Sequence, residues 1–191
     1  MKIVCISKFN GTIEVDIKPD TAMLVNNKPL FIPNFTNDLR CVPCLLLRIN
    51  RLGRNIASRF AYRYYDALTI GLDFRAYDRI QQARSQCNTL SPWLAFDGSL
   101  AIGQWIEKDN ESEVLLPSVS IRQNEQSIWN SGIATWVYAI DDAIALASSY
   151  FKLAQGDIIA IAADTDFIPL KINDCIEIGN ETDKLIRMNI K

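Results

Sequence analysis

Two groups of side chains in this sequence have types and spacing that suit chemistry. Cys41 and Cys44 form a cysteine pair separated by two residues, and Asp73 lies two residues before Arg75. Histidine is absent from all 191 residues, so imidazole serves neither as a general base nor as a metal ligand. Any catalysis must therefore use carboxylates, lysine, tyrosine, cysteine or a metal held by oxygen or sulfur.

The cysteine pair invites a zinc or redox interpretation, which its context disfavours. Zinc normally needs two more ligands at matched spacing, yet the other three cysteines stand singly in the sequence. A redox thiol needs the start of a helix, whereas Cys44 leads into the apolar run of residues 45–47. We therefore interpret Cys41 and Cys44 as buried free thiols, and a thiol-based metal or redox sensor stays as a weaker hypothesis.

Composition excludes several classes of partner. With 20 basic and 22 acidic residues the formal net charge is -2, so no general field attracts nucleic acid or an anionic membrane surface. The longest apolar stretches, such as residues 158–163, are far shorter than the roughly 18 residues that span a bilayer. The start of the chain lacks a signal-peptide core, and five cysteines favour reduced thiols. We expect a single domain over residues 1–191 in a cytoplasmic protein.

The elements that must position these side chains are mostly strands. Acidic residues followed by alanine and leucine predict a helix over residues 140–151, and a four-residue spacing of apolar side chains predicts another over 56–66. Asn124 and Glu125 indicate the turn of a hairpin. Short β-branched or alternating runs predict strands, and together they indicate an α+β, mostly β fold. The predicted strands are residues 2–6, 12–17, 45–50, 68–74, 101–105, 113–123, 127–131, 157–163, 175–178 and 184–189.

Several segments, read in order, resemble the fumarylacetoacetate hydrolase family. They are 17–24 (IKPDTAML), 48–50 (RIN), 53–56 (GRNI), 64–74 (YYDALTIGLDF), 95–99 (AFDGS), 102–103 (IG) and 149–159 (SYFKLAQGDII). Each segment alone is weak, but the ordered set is specific. The resemblance implies a rolled, mixed β-sheet core with a few short helices, and a homodimer. It also implies an Mg²⁺ or Mn²⁺ site for hydrolysis, decarboxylation or isomerisation of oxo acids.

Under this resemblance the metal ligands are largely missing. The family's first two glutamate ligands align with Val42 and Cys44, and only the third ligand, Asp73, is present. Valine has no donor atom, and thiolates prefer softer metals than Mg²⁺. We expect no bound metal cofactor, and we expect Asp73 to pair with Lys18 or Arg75 as a vestigial ligand. We expect Mg²⁺ or Mn²⁺ only if the chain is an active enzyme.

Other parts of the family's machinery are also replaced. The family lysine aligns with Leu94, and the loop that holds a substrate carboxylate aligns with residues 162–164, where Asp164 would repel an anion. The lid segment, near residues 7–16, is shortened. The residues left to line a cleft are Lys18, Arg75, Leu94 and Asp164.

These losses favour a degenerate, catalytically inactive family member that acts as a binding or structural protein, as a homodimer or beside an active paralogue. The alternative is a divergent metal-dependent hydrolase, decarboxylase or isomerase of small, acylpyruvate-like oxo acids. For a dimer interface the sequence offers Trp129, Trp136 and the strand at residues 45–47.

Overall fold

A computed structural model describes residues 1–25, 27–108, 119–130, 136–179 and 184–191. Two sheets and three α-helices make up its regular structure. The larger sheet contains β1 (Lys2–Phe9), β2 (Thr12–Pro19), β3 (Met23–Leu24), β4 (Leu39–Ile49), β5 (Tyr65–Ala76), β6 (Leu100–Ile102), β7 (Ile106–Glu107), β10 (Ile158–Ala162) and β11 (Ile168–Pro169). The smaller sheet contains β8 (Ser120–Gln123), β9 (Gln126–Asn130), β12 (Cys175–Gly179) and β13 (Lys184–Asn189). The helices are α1 (Tyr77–Ser85), α2 (Ser91–Leu94) and α3 (Ile140–Tyr150).

The larger sheet is mixed and rolled. Its strand order is β2-β1-β10-β4-β5-β6-β3, with β1 parallel to β10, β3 parallel to β6 and the other pairs along this path antiparallel. Strands β2 and β3 lie at opposite ends of this order, yet only the 3₁₀ turn Asp20–Ala22 joins them. Three residues span a short distance, so the two ends of the sheet must approach each other. The predicted rolled mixed sheet is thereby confirmed.

Alternation along the central strands divides their side chains between two faces. Leu45 and Leu47 of β4 and Ile70 and Leu72 of β5 point into the main core, which also contains α3 and the inward side chains of the smaller sheet. Cys44 and Leu46 point the other way, into a second buried cluster with side chains of β1, β6 and β10. We call this second side the inner face of the rolled sheet.

The helix predicted over residues 140–151 is confirmed as α3, but the one over 56–66 is wrong. The chain there forms a 3₁₀ turn, Ser58–Arg63, and Asp66 already belongs to β5. Within this turn only Ala61 is buried, while Phe60 is 40% exposed. The four-residue spacing of apolar side chains therefore does not mark a buried helical face. The neighbouring Tyr65 instead pairs with Ile49 in the sheet ladder.

Strand β4 begins at Leu39, six residues before the predicted start, although Pro43 lies within it. Proline has no backbone N–H to donate to a neighbouring strand, so it is unusual in the interior of a sheet. On one side of β4, strand β10 pairs with residues 44–48 and strand β11 pairs with residues 40–41. Pro43 lies between these two paired stretches, so β4 continues through the proline.

The hairpin predicted around Asn124 and Glu125 is confirmed, since both residues have positive φ and join β8 to β9. Of the strand predicted over residues 113–123, the part before residue 119 lies outside the described residues, as does the last residue of the strand predicted over 127–131. Within the described residues, no helix is long and apolar enough to cross a membrane.

Candidate functional site

The inner face collects the side chains whose types suit chemistry. Val42 lies opposite Asp73 in the β4–β5 ladder, and Cys44 lies opposite Gly71. Because alternate residues of a strand share a face, Val42, Cys44, Asp73 and Arg75 all belong to the inner face. The positions that the resemblance assigns to three metal ligands are therefore neighbours in space.

Asp73 is held between two cations. Its Oδ1 lies 2.5 Å from the Lys18 Nζ, and its Oδ2 accepts hydrogen bonds from the Arg75 Nη2 at 2.8 Å and Nε at 2.9 Å. The exposed fractions of the three residues are 1% for Lys18, 3% for Asp73 and 4% for Arg75. The predicted pairing of Asp73 is confirmed, and it involves both cations. We call Lys18, Asp73 and Arg75 the ion triad.

Lys18 reaches the ion triad from the far end of the strand order. It belongs to β2, whereas Asp73 and Arg75 belong to β5, four positions away in the sheet. The Lys18 ammonium also donates to the carbonyl oxygen of Ser99 at 2.9 Å and to its hydroxyl at 3.0 Å. Ser99, which is fully buried, directly precedes β6. Lys18 therefore connects the two approaching ends of the roll.

The ion triad keeps its carboxyl group ionised. Burial by itself raises the pKa of Asp73, but the charges and hydrogen bonds of Lys18 and Arg75 outweigh burial and lower that pKa below its ordinary value. A second carboxyl group, Asp16, lies two residues before Lys18 on the same side of β2. Burial, followed by the charges of Glu14 and Asp73, raises the pKa of Asp16 despite the opposing influence of Arg75 and Lys18. Asp73 is thus an anion within a cationic setting.

The thiols on this face are neutral. Burial, assisted by the charge of Asp73, raises the pKa of Cys5 to about 12 and places the pKa of Cys44 well above its ordinary value. A thiol in this state is neither a nucleophile nor a metal ligand at neutral pH. Beside them, the buried hydroxyl of Ser7 lacks a hydrogen-bond partner within the described part of the chain. Buried polar groups usually have such a partner.

A divalent metal does not fit this donor set. Val42 offers no donor, Cys44 is a protonated thiol, and both oxygens of Asp73 are engaged by cations. Two positive charges next to the remaining carboxylate repel a third. Among the described residues, no group of three cysteine, aspartate or glutamate side chains could hold a metal ion.

Cys41 and Cys44 do not form one site. Three residues apart on β4, they point to opposite faces, with Cys41 in the main core and Cys44 in the inner cluster. Burial raises the pKa of both thiols. The hypothesis of a sensor built on this pair is wrong for geometric reasons, and the interpretation as buried free thiols is confirmed.

The other two predicted cleft residues are Leu94 and Asp164. Leu94 is buried at the end of α2, which packs against β2 and β5. Asp164 follows β10, is exposed and pairs with Lys8 at 2.8 Å. Residues 7–16, where a lid was expected to be shortened, form most of the hairpin of β1 and β2. Of the four predicted cleft residues, Lys18 and Arg75 form ion pairs with Asp73.

Sequence reasoning missed Ser7, Asp16 and Ser99. Alternation along β1 and β2 could have placed Cys5, Ser7, Asp16 and Lys18 on one face. No local pattern, however, could have indicated that β2 approaches β6, because that contact depends on the closure of the roll.

The chain matches the family model described as the fumarylacetoacetate (FAA) hydrolase C-terminal domain over residues 8–165. Since this match covers more than half of the chain, the protein belongs to the fumarylacetoacetate hydrolase family, as the ordered segments predicted.

The relatives and structural neighbours carry names of enzymes. The mitochondrial oxaloacetate tautomerase of Mus musculus is 22% identical over 179 residues, which are 92% of this chain and 79% of the relative. The corresponding protein of Homo sapiens is 23% identical over 167 residues, covering 85% and 74%.

Solved structures share the fold. Fumarylpyruvate hydrolase from Pseudomonas aeruginosa, in complex with Mn²⁺ and pyruvate, has a TM-score of 0.86 at 15% identity, covering 100% of this chain and 89% of that one. The 5-carboxymethyl-2-hydroxymuconate delta-isomerase of Mycobacterium smegmatis has a TM-score of 0.80 at 20% identity, covering 99% and 78%. The α+β, mostly β class is confirmed by these matches.

The interpretation of this chain as a catalytically inactive binding or structural protein is wrong. Its relatives are tautomerases, and its structural neighbours include a hydrolase and an isomerase. These findings favour the alternative, a divergent enzyme. The prediction rested on the missing ligands, whereas the surviving carboxylate, Asp73, lies between two cations in a charged site.

Proposed function

We propose that this chain is an enzyme that interconverts the keto and enol forms of a small oxo acid. The observation that carries the proposal is the ion triad, which puts two cations and one carboxylate at a single buried point. The curated relatives support the choice of reaction, because they are oxaloacetate tautomerases. Tautomerisation also needs less machinery than hydrolysis, since no water has to be activated.

Each member of the ion triad suits one part of such a substrate. Arg75 presents a planar pair of N–H donors that matches a carboxylate. Lys18 supplies a compact positive charge for the oxygen of the carbonyl group, where negative charge develops during enolisation. Asp73, the carboxylate between them, is the acceptor for the proton on the adjacent carbon.

The proton movements balance without an external reagent. Asp73 accepts the proton from the carbon, and Lys18 donates a proton to the developing enolate oxygen. Asp73 then returns its proton to the Lys18 amine, which lies within direct reach of Oδ1 at 2.5 Å. The substrate leaves as the enol, and both side chains regain their resting charges. No step in this sequence uses a metal.

Substrate entry requires movement of the groups above the ion triad. The Phe167 ring lies 5.2 Å from the Arg75 guanidinium carbon and contacts Tyr77 with ring centroids 5.6 Å apart. Phe167 belongs to the segment between β10 and β11. The unpartnered Ser7 hydroxyl supports a polar occupant on the same face.

The test is the decay of enol absorbance for oxaloacetate, followed with a chelator present so that trace metals do not enolise the substrate. We expect the parent chain to accelerate the decay, and Asp73→Asn or Lys18→Met to reduce the rate by roughly 100-fold. Arg75→Met should mainly raise KM, because its role is to bind the carboxylate.

Lys8→Met is the matched control, since Lys8 also pairs with an aspartate but lies on the surface, away from the ion triad. It should keep the parent rate. A folded Asp73→Asn variant with the parent rate would refute the proposal, as would a parent chain without effect on any small oxo acid tried.

A further inference from the structure

The family position of a divalent cation coincides here with a point where two ends of the sheet meet. Val42, Cys44 and Asp73 mark that position on β4 and β5. Lys18 arrives from β2 and also binds Ser99 at the start of β6. Like a divalent ion, this arrangement places positive charge between Asp73 and the groups around it.

We propose that the ion triad, in which Lys18 and Arg75 already engage both oxygens of Asp73, excludes Mg²⁺ and Mn²⁺ and itself holds the roll closed. This inference goes beyond the proposed reaction, because it concerns ion binding and stability and stands whether or not the chain turns over oxo acids.

Charge arithmetic supports the exclusion. Three carboxylates around a divalent ion leave one negative charge, whereas one carboxylate between two cations leaves one positive charge. In place of the two carboxylates, Val42 has no donor atom and the Cys44 side chain is buried in the apolar inner cluster. Glutamates at those positions would compete with Asp73 for Lys18 and Arg75. An entering Mn²⁺ would have to displace buried ammonium and guanidinium groups and lose its own water.

Burial supports the bridging role. The Lys18 side chain is 1% exposed, and its ammonium has three partners, two on Ser99 and one on Asp73. Without the Lys18 ammonium, the Ser99 carbonyl oxygen, the Ser99 hydroxyl and Asp73 Oδ1 would lose this buried donor, although Arg75 would still pair with Asp73. A buried polar group left without its partner costs about 1–3 kcal/mol. The surface pair of Lys8 and Asp164, with side chains 37% and 45% exposed, gives the contrasting case.

The first experiment measures thermal unfolding of the chelator-treated parent chain with and without Mn²⁺. We expect no change in Tm. A site filled at 100 times its Kd would raise Tm by roughly 5 °C or more. Such a rise that disappears in Asp73→Asn would overturn the exclusion.

The second experiment restores the missing carboxylates. Val42→Glu with Cys44→Glu should bind Mn²⁺ at least tenfold more weakly in calorimetry than the same pair combined with Lys18→Met and Arg75→Met. Equal affinities would show that the cations do not exclude the ion, and would refute the proposal. Circular dichroism verifies that both variants are folded.

The third experiment tests closure and needs no carboxylate variant. Lys18→Met should lower Tm by about 10 °C, with or without chelator, whereas Lys8→Met should change it by about 2 °C at most. Equal effects of the two substitutions would refute the bridging role. Because the readouts are ion binding and Tm, loss of tautomerase activity alone leaves this inference standing, and the reverse also holds.

Discussion

The side chains of the ion triad illustrate how much a position depends on its partners. Asp73 has the same chemical groups as a metal ligand, but its two oxygens already face Lys18 and Arg75. The pKa of its carboxyl group lies below its ordinary value, although burial opposes that direction. The role of Asp73 therefore depends on the charged side chains that contact it, one of which belongs to a distant strand, and not on its own identity alone.

At the residue scale, Gly71 is required by close approach rather than by an unusual backbone angle. A Cβ at this position would meet the carbonyl oxygen of Ala101 and would lie 2.7 Å from Cδ1 of Leu46. The backbone carbonyl belongs to β6, the strand paired with this part of β5. The sheet has no room for a methyl group here.

We expect Gly71→Ala to destabilise the chain by about 1–3 kcal/mol, because overpacking forces strands apart or side chains off their rotamers. Denaturant unfolding measures this change. Adding Leu46→Ala removes one of the two clashes but leaves the carbonyl of Ala101, so it should not restore the parent midpoint. An unchanged midpoint in Gly71→Ala would contradict the packing described for β5 and β6.

At the element scale, Asp157 joins the start of β1 to the start of β10. Its carboxylate accepts hydrogen bonds from the backbone N–H of Lys2 at 3.0 Å and of Ala154 at 2.8 Å, and it pairs with the Lys2 ammonium. Burial raises the pKa of Asp157, but these donors outweigh burial and lower the pKa below its ordinary value. The ionised form is therefore the one that the fold stabilises.

This lowered pKa fixes the sign of a pH dependence. The stabilisation is fully present above the ordinary aspartate pKa of about 3.9 and is lost as the pH falls through the lower pKa of the folded state. We expect Asp157→Asn to cost about 2 kcal/mol near neutral pH, and the difference from the parent to shrink at acid pH. Urea unfolding at several pH values measures both.

Asp164→Asn is the control for this experiment, since Asp164 is exposed and pairs with Lys8 on the surface. Surface pairs contribute little, so its effect should stay below about 1 kcal/mol. A difference between Asp157→Asn and the parent that persists below the folded pKa would indicate that the lost contacts are steric rather than ionic.

Sequence patterns predicted most of the elements but less of the site. Alternation and β-branching located the central strands, and acidic residues followed by apolar ones located α3. Helix α1 was missed because only Ile80 and Ala83 of its nine residues are buried, which leaves almost no apolar periodicity. The site was predicted in part, since Asp73 and its two candidate partners were named, but the joint contact depends on a roll that brings residues 18 and 73 together. No window of local sequence contains that information.

At the scale of the whole molecule, we propose a homodimer through the side of the chain that carries Trp129 and Trp136. Their rings lie 5.9 Å apart, and both side chains are only half-buried within one chain. Residues 45–47, the other suggested contributor, are fully buried in the core and are therefore unable to meet a partner. Aromatic residues are common at the centres of interfaces.

We expect light scattering at micromolar concentration to give about 43 kDa, twice the mass of the 21.6 kDa chain. Trp129→Ala should shift the equilibrium toward the monomer. Tyr150→Ala is the matched control, because Tyr150 is an exposed aromatic residue on α3, 61% exposed. A mass near that of one chain would remove the dimer proposal.

The position of β10 has a consequence for how the chain folds. Hairpin β1–β2 and hairpin β4–β5 form from neighbouring segments, but β10 lies between them in the sheet and is separated from β1 by more than 140 residues. Until β10 is synthesised, each hairpin presents an unpaired edge that can pair wrongly with the other. Contacts so distant in sequence also slow folding. Correct assembly of the first strands thus depends on a strand that is synthesised more than 80 residues after β5.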